Sequence, residues 1–282
     1  MKTETIRSVG DYINKLEKRG MFRRAFYRGE SKKFRTPLTA AALRNYRISH
    51  RVMYNSFYRE VHLRLTANEK EHFIAFCQHH GIPTNLLDVT SNPLIALFFS
   101  CCSDFKNDGY VYLFDSQLLD VTKFIDSLKL EDEYENRLNF LFCEKRHQAF
   151  ICKMLSNTIN TIENIKPPIV SDIKKIIEDI NNGVDNFNFQ DIDFEEIVEF
   201  LPLSIYSPLL SFDRAVSQKS SFIYQWHSLD NKQIIRPDHV YRIPSECKDN
   251  IKENLDVLNI NRATIFQDFD NIAEYIKGKS DY

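Results

Sequence analysis

A single α+β domain is predicted, and two observations predict it. Segments with strand character, residues 25–28, 110–114, 221–226 and 239–243, lie far apart in the chain and must meet in one sheet. Between them run segments whose apolar residues recur at three- and four-residue steps, as on one face of a helix. The domain is read as residues 1–282, with residues 117–205 as a helical insertion within it. A composition of 43% hydrophobic residues, with 22 Phe and 13 Tyr, supplies the material for a packed core.

Taken in order, Ile6, Val9, Ile13 and Leu16 predict a leading helix over 3–19, which Gly20 ends. The strand at 25–28 places Arg28 at its end, beside Gly29. Leu38, Tyr54, Phe57, Tyr58, Val61 and Leu65 predict helices between 37 and 70. A helix over 69–79 buries Phe73, Ile74, Phe76 and Cys77; Gly81 provides a left-handed end and Pro83 forbids continuation. Residues 84–90 are then a loop or a short strand. Asn92-Pro93 starts the next helix, because Asn caps free amides and Pro at the first position has none to orphan. That helix covers 94–102, and Asp108-Gly109 turns the chain into the strand at 110–114. From 117 to 201 the periodicity is helical, punctuated by Pro167-Pro168 and Asn182-Gly183. After the strands at 221–226 and 239–243, in which Val240 and Tyr241 face opposite ways, two helices close the chain. One runs through Ile251, Leu255 and Leu258 and the other through Phe269, Ile272, Tyr275 and Ile276, joined across 261–267.

Bulk charge names no partner. Lys and Arg total 37 against 39 acids, a net charge of −2, which removes the global basic excess of a general nucleic-acid binder. A local cluster, Lys18, Arg19, Arg23, Arg24, Arg28, Lys32, Lys33 and Arg35, faces either a polyanion or water. The six cysteines lack paired spacing and no secretion signal precedes them, so they read as reduced thiols in a cytoplasmic protein. No apolar run approaches the roughly 20 residues of a membrane span. Cys77 with His79 and His80, and Cys143 with His147 and Cys152, fall short of a four-ligand pattern, so no metal is expected.

Two groups of residues carry candidate chemistry. Arg28 either clamps a diphosphate bidentately, with Gly29 letting the ligand approach, or sits in a structural ion pair. His79, His80, Thr84, Asp88 and Thr90 cluster between two helix signals. There a histidine donates, accepts or shuttles a proton, or His80 merely caps its helix, and Asp88 acts chemically or orders the turn.

The same residues resemble the FRG domain in four blocks. These are Phe26-Tyr27-Arg28-Gly29-Glu30-Ser31 with Pro37 and Arg44; Gln78 to Asp88 continuing through Thr90, Asn92-Pro93 and Ala96-Leu97-Phe98-Phe99; Arg214, Gln218 and Phe222; and Asn259-Ile260-Asn261 with Phe266-Gln267-Asp268-Phe269. The arrangement is also similar to the ADP-ribosyltransferase fold, which implies a mixed, mostly antiparallel split sheet. That resemblance implies NAD as the substrate, with no metal. Arg28 would hold its phosphates beside Gly29, Thr84 would brace the pocket, and His80 and Thr90 would complete the binding set. The chain departs from the transferase pattern in having Gln218-Lys219-Ser220-Ser221 where a late glutamate stands, so Asp88, Glu30 or Gln218 must serve in its place. The implied activity is ADP-ribosyl transfer to a macromolecule or NAD hydrolysis, in a bacterial toxin or phage-defence effector. The alternative is a non-catalytic module that senses a nucleotide or nucleic acid.

Overall fold

The structure, a computed structural model, describes residues 3–20, 25–34, 38–44, 50–115, 118–122, 125, 202–210, 213–226 and 233–279. Most of the predicted insertion over 117–205 lies outside the described residues, as do Arg23, Arg24, Arg35, Pro37, Cys143, His147 and Cys152.

Eight strands form one open, mixed sheet: β1 (Thr3–Thr5), β2 (Phe26–Glu30), β3 (Leu86–Thr90), β4 (Gly109–Phe114), β5 (Leu119–Asp120), β6 (Ser204–Tyr206), β7 (Ser220–Tyr224) and β8 (His239–Ile243). Their spatial order is β1-β8-β4-β2-β3-β7-β6-β5. The edge pairs β1–β8 and β5–β6 are parallel, and every pair between them is antiparallel. The helices are α1 (Val9–Lys18), α2 (His50–Val61), α3 (Ala67–Glu71), α4 (Phe73–His79), α5 (Pro93–Cys101), α6 (Asp213–Ser217), α7 (Lys248–Val257), α8 (Arg262–Phe266) and α9 (Phe269–Lys279). The α+β class read from the sequence is therefore the observed one.

Two boundaries differ from the sequence reading for local reasons. The leading helix begins only at Val9, because the extended Ser8 caps it by accepting from the Asp11 amide. Thr3–Thr5 instead extends the sheet, pairing with Val240, Tyr241 and Arg242. The helix expected over 69–79 is two helices, since His72 (φ −107°, ψ 36°) leaves helical geometry between them. Asn92 and Pro93 act as expected, the Asn side chain accepting from Leu94 at the start of α5.

Side chains of alternate sheet residues feed two cores. One packs Tyr27, Val111, Leu113, Tyr241 and Ile243 against Tyr12 of α1, Ile95 to Phe98 of α5, and Ile251 and Leu255 of α7. The other gathers Phe26, Leu87, Val89, Tyr112, Phe114, Ile223 and Val240 on the opposite face. Val240 and Tyr241 thus point to opposite cores, as their alternation predicts. Helix α5 sits so close to the sheet that a Cβ at Gly29 would lie 1.9 Å from the Ala96 carbonyl oxygen, and one at Gly109 would lie 2.2 Å from that of Ser100. These two glycines are what let a helix backbone rest on β2 and β4.

The halves of the sheet meet at a narrow seam. β2 and β3 are joined by one residue pair, Tyr27 with Thr90. Beyond it the ladder does not continue, although β2 runs on against β4 as far as Glu30 and β3 against β7 along its full length.

Candidate functional site

The seam is where the candidate residues collect. Asn85 accepts from Gln225 and Ser91 donates to Lys219, so odd-numbered residues of this stretch face β7 and Asp88 presents its backbone towards β2. The group that meets the Asp88 carbonyl is a side chain: Arg28 Nη1 donates to it at 2.9 Å. Arg28 Nε donates to Glu30 Oε1, also at 2.9 Å, two residues along and hence on the same side of β2. Glu30 is buried, its side chain 4% exposed, while that of Arg28 is 18% exposed. The ion-pair reading of Arg28 is thus met, yet the guanidinium also borders an open cavity.

That cavity, of about 300 Å³, is bordered by Arg28, His79, Asp88, Phe99, Arg214 and Gln218, and its wall also includes Tyr27, Gln78, Thr90, Ser220 and Phe222. The Asp88 side chain is 62% exposed, and its Oδ2 stands 4.0 Å from Arg28 Nη1. Gln78 fixes the carboxylate, donating from Nε2 to Oδ2 at 2.8 Å. Thr84 in turn fixes Gln78: its hydroxyl donates to Oε1 at 2.6 Å and accepts from the Leu86 amide at 3.1 Å. Thr84 is buried and braces the site through Gln78, not by lining it.

The remaining candidates divide. Thr90 lines the cavity, donates from its hydroxyl to the Gln218 carbonyl at 2.8 Å and accepts from the Asn92 amide, tying β3 to the turn before β7. Gln218 also lines it, but its Nε2 donates to the Ile265 carbonyl at 3.3 Å, so the amide is spent partly on holding α8. His80 is not part of the wall. It is the C-cap of α4, packed on Phe76 with ring centroids 4.3 Å apart, so the fold does not bring it together with the other candidates at the cavity. Gly29 contributes only backbone, and its lack of a side chain answers to α5 rather than to a ligand. Glu30 stands behind Arg28, outside the wall.

Other lining residues include Gln78, Arg214 and His79, the last of which the sequence placed in the candidate cluster without a role of its own. His79 ends α4 beside Gln78; burial, with help from His80 and Arg214 and against the pull of Asp88, brings its imidazole down to about 4. Gln78 is the link described above. Arg214, on α6, lies over the Phe266 ring at 5.0 Å and is exposed. The signal for all three was in the sequence, since Gln78 and His79 open the second block and Arg214 opens the third. What one-dimensional reading lacked was the seam that brings α4 and α6 to the same opening. The last block has a structural reason too: α8 offers the Ile265 carbonyl to both Ser217 and Gln218, and Phe266 seats Arg214.

The arrangement can hold an anion between two guanidinium groups, shelter a flat ring against Phe99 or Phe222, and present one oriented carboxylate. Residues 23–109, which run from before β2 into β4 and include Arg28, Gln78, Thr84 and Asp88, match the FRG domain family model. The chain therefore carries an FRG domain. No curated protein and no solved structure matches it. Among the described residues no helix is long and apolar enough to cross a membrane.

Proposed function

We propose that the cavity binds NAD and that the protein is an ADP-ribosyltransferase or NAD glycohydrolase, its seamed sheet an ADP-ribosyltransferase-like one. The observation that carries this reading is the exposed Asp88 carboxylate, held by Gln78 inside a cavity flanked by Arg28 and Arg214. The arginines suit a diphosphate, Arg214 being the exposed arm and Arg28 the one already engaged on two sides. When the glycosidic bond breaks, nicotinamide leaves with the bonding electron pair and positive charge develops on the ribose. A preoriented carboxylate stabilises that charge. Asp88 fills this role better than Gln218, which is neutral, or Glu30, which is committed to Arg28. A cytoplasmic toxin or phage-defence effector is the setting that follows, with a macromolecule or water as acceptor.

Nicotinamide release from NAD by the wild type, abolished in Asp88→Asn and strongly reduced in Arg214→Ala, is the expected result. A second reading has one observation of its own. The late β7 approach carries Gln218, bonded to α8, where a transferase would place a carboxylate. A nucleotide- or nucleic-acid-sensing module would bind its ligand in the same cavity and release no nicotinamide, with affinity still dependent on Arg214.

A further inference from the structure

Transfer from NAD also requires that the acceptor lose a proton, and few side chains in the wall can receive it. Arg28 and Arg214 stay protonated at any working pH. Burial, with Asp115 nearby, holds the Tyr27 phenol up at about 12. Gln78, Thr90, Gln218 and Ser220 are not bases. Asp88 is assigned to the ribose. His79 is left, and its placement suits proton transfer. It lines the cavity at the end of α4, next in sequence to the Gln78 that holds Asp88 at 2.8 Å. One helix end thus positions both the carboxylate and the imidazole.

Building on the NAD reading above, we propose that His79 is the general base that takes the proton from an O–H acceptor, water or an alcohol, as its oxygen bonds to C1′ of the ribose. In that step the bond from C1′ to the nicotinamide ring nitrogen breaks and neutral nicotinamide departs. The C1′–O bond forms, the acceptor proton passes to the imidazole, and His79 then releases it to water. Burial and the groups facing His79 set its basicity. Burial foremost, then His80 and Arg214, disfavour the protonated ring and Asp88 favours it, so the imidazole of the unliganded site is brought down to about 4. A bound diphosphate offsets Arg214, and the base is strengthened when substrate is present.

The test compares wild type with His79→Gln and His79→Ala in nicotinamide release against pH, NAD affinity by calorimetry and thermal melting. His79→Asn replaces any variant that does not fold. With the inference correct, the folded variants keep NAD affinity within about threefold, turnover falls about 10²- to 10⁴-fold, and added imidazole restores it in His79→Ala. The acid limb of the wild-type kcat profile lies at higher pH than that of kcat/KM, which reports the unliganded site. Methanol added to the reaction yields methyl ADP-ribose beside ADP-ribose if alcohols are accepted, and ADP-ribose alone if only water is. Wild-type turnover that persists unchanged in His79→Gln overturns the role of His79 and leaves the NAD reading intact. NAD binding without any nicotinamide release by the wild type overturns both.

Discussion

Gln78 holds the Asp88 carboxylate from Nε2 at 2.8 Å, and its other amide atom is held by the buried Thr84 hydroxyl. Orientation of the exposed acid thus originates in a residue outside the cavity. Thr84→Val removes the donor to Gln78 and the acceptor of the Leu86 amide at nearly constant volume. A loss of about 1–3 kcal/mol is expected from the unsatisfied buried groups, read as a lower midpoint in urea. Gln78→Glu sets a second carboxylate against Asp88, and the expected outcome is weaker NAD turnover with little change in NAD affinity.

Arg28 and Glu30 make opposite predictions for anion binding. Glu30→Gln keeps an acceptor for Nε but removes the buried counter-charge, freeing the guanidinium electrostatically. Pyrophosphate affinity, measured by calorimetry, should rise a few-fold while stability drops by roughly 1–3 kcal/mol. Arg28→Gln should lower both.

Glycine at 29 is demanded by packing. Gly29→Ala would place a methyl group 1.9 Å from a main-chain oxygen of α5, which neither strand nor helix can yield cheaply. A loss of about 3 kcal/mol or more is expected. Gly81→Ala meets no neighbour within 4 Å and is strained only by its φ of +78°, so it should cost about 1–2 kcal/mol. Denaturant midpoints of the two variants measure the contrast.

Stability should depend on pH through His79. Its imidazole titrates near 4 in the folded chain, by burial and the neighbouring His80 and Arg214, against 6.5 for an unperturbed histidine. Between those values the unfolded chain binds the extra proton, so stability falls as pH is lowered from about 6.5 towards 4 and this contribution is flat below. Urea unfolding on either side of that window should show a shallower slope for His79→Gln than for the wild type.

Local signals explain what could be read from the chain. Val240 and Tyr241 alternate between two cores, Asn92-Pro93 starts α5, and Gly81 ends the α4 region, each through chemistry confined to a few neighbouring residues. β1 was hidden inside an amphipathic run because its partner, Val240 to Arg242, lies near the other end of the sequence. α8 is only five residues long, too short for periodicity to reveal. In the site, Arg28, Asp88 and Thr90 were legible as candidates. His79 and His80 both stood in the candidate cluster, and only the fold separates them: adjacent residues at a helix end differ in direction, and the seam geometry brings His79 to the cavity.

The single-pair seam also changes what Arg28 does. The Asp88 carbonyl is a strand-pairing group facing β2, and a guanidinium occupies it. Arg28 therefore works as a spacer: while its Nη1 caps that oxygen, β2 and β3 cannot zip beyond Tyr27 and Thr90. A short apolar residue at 28 would leave the carbonyl seeking the next backbone amide across the gap. The opening itself, and not merely its charge, is then a property of one side chain.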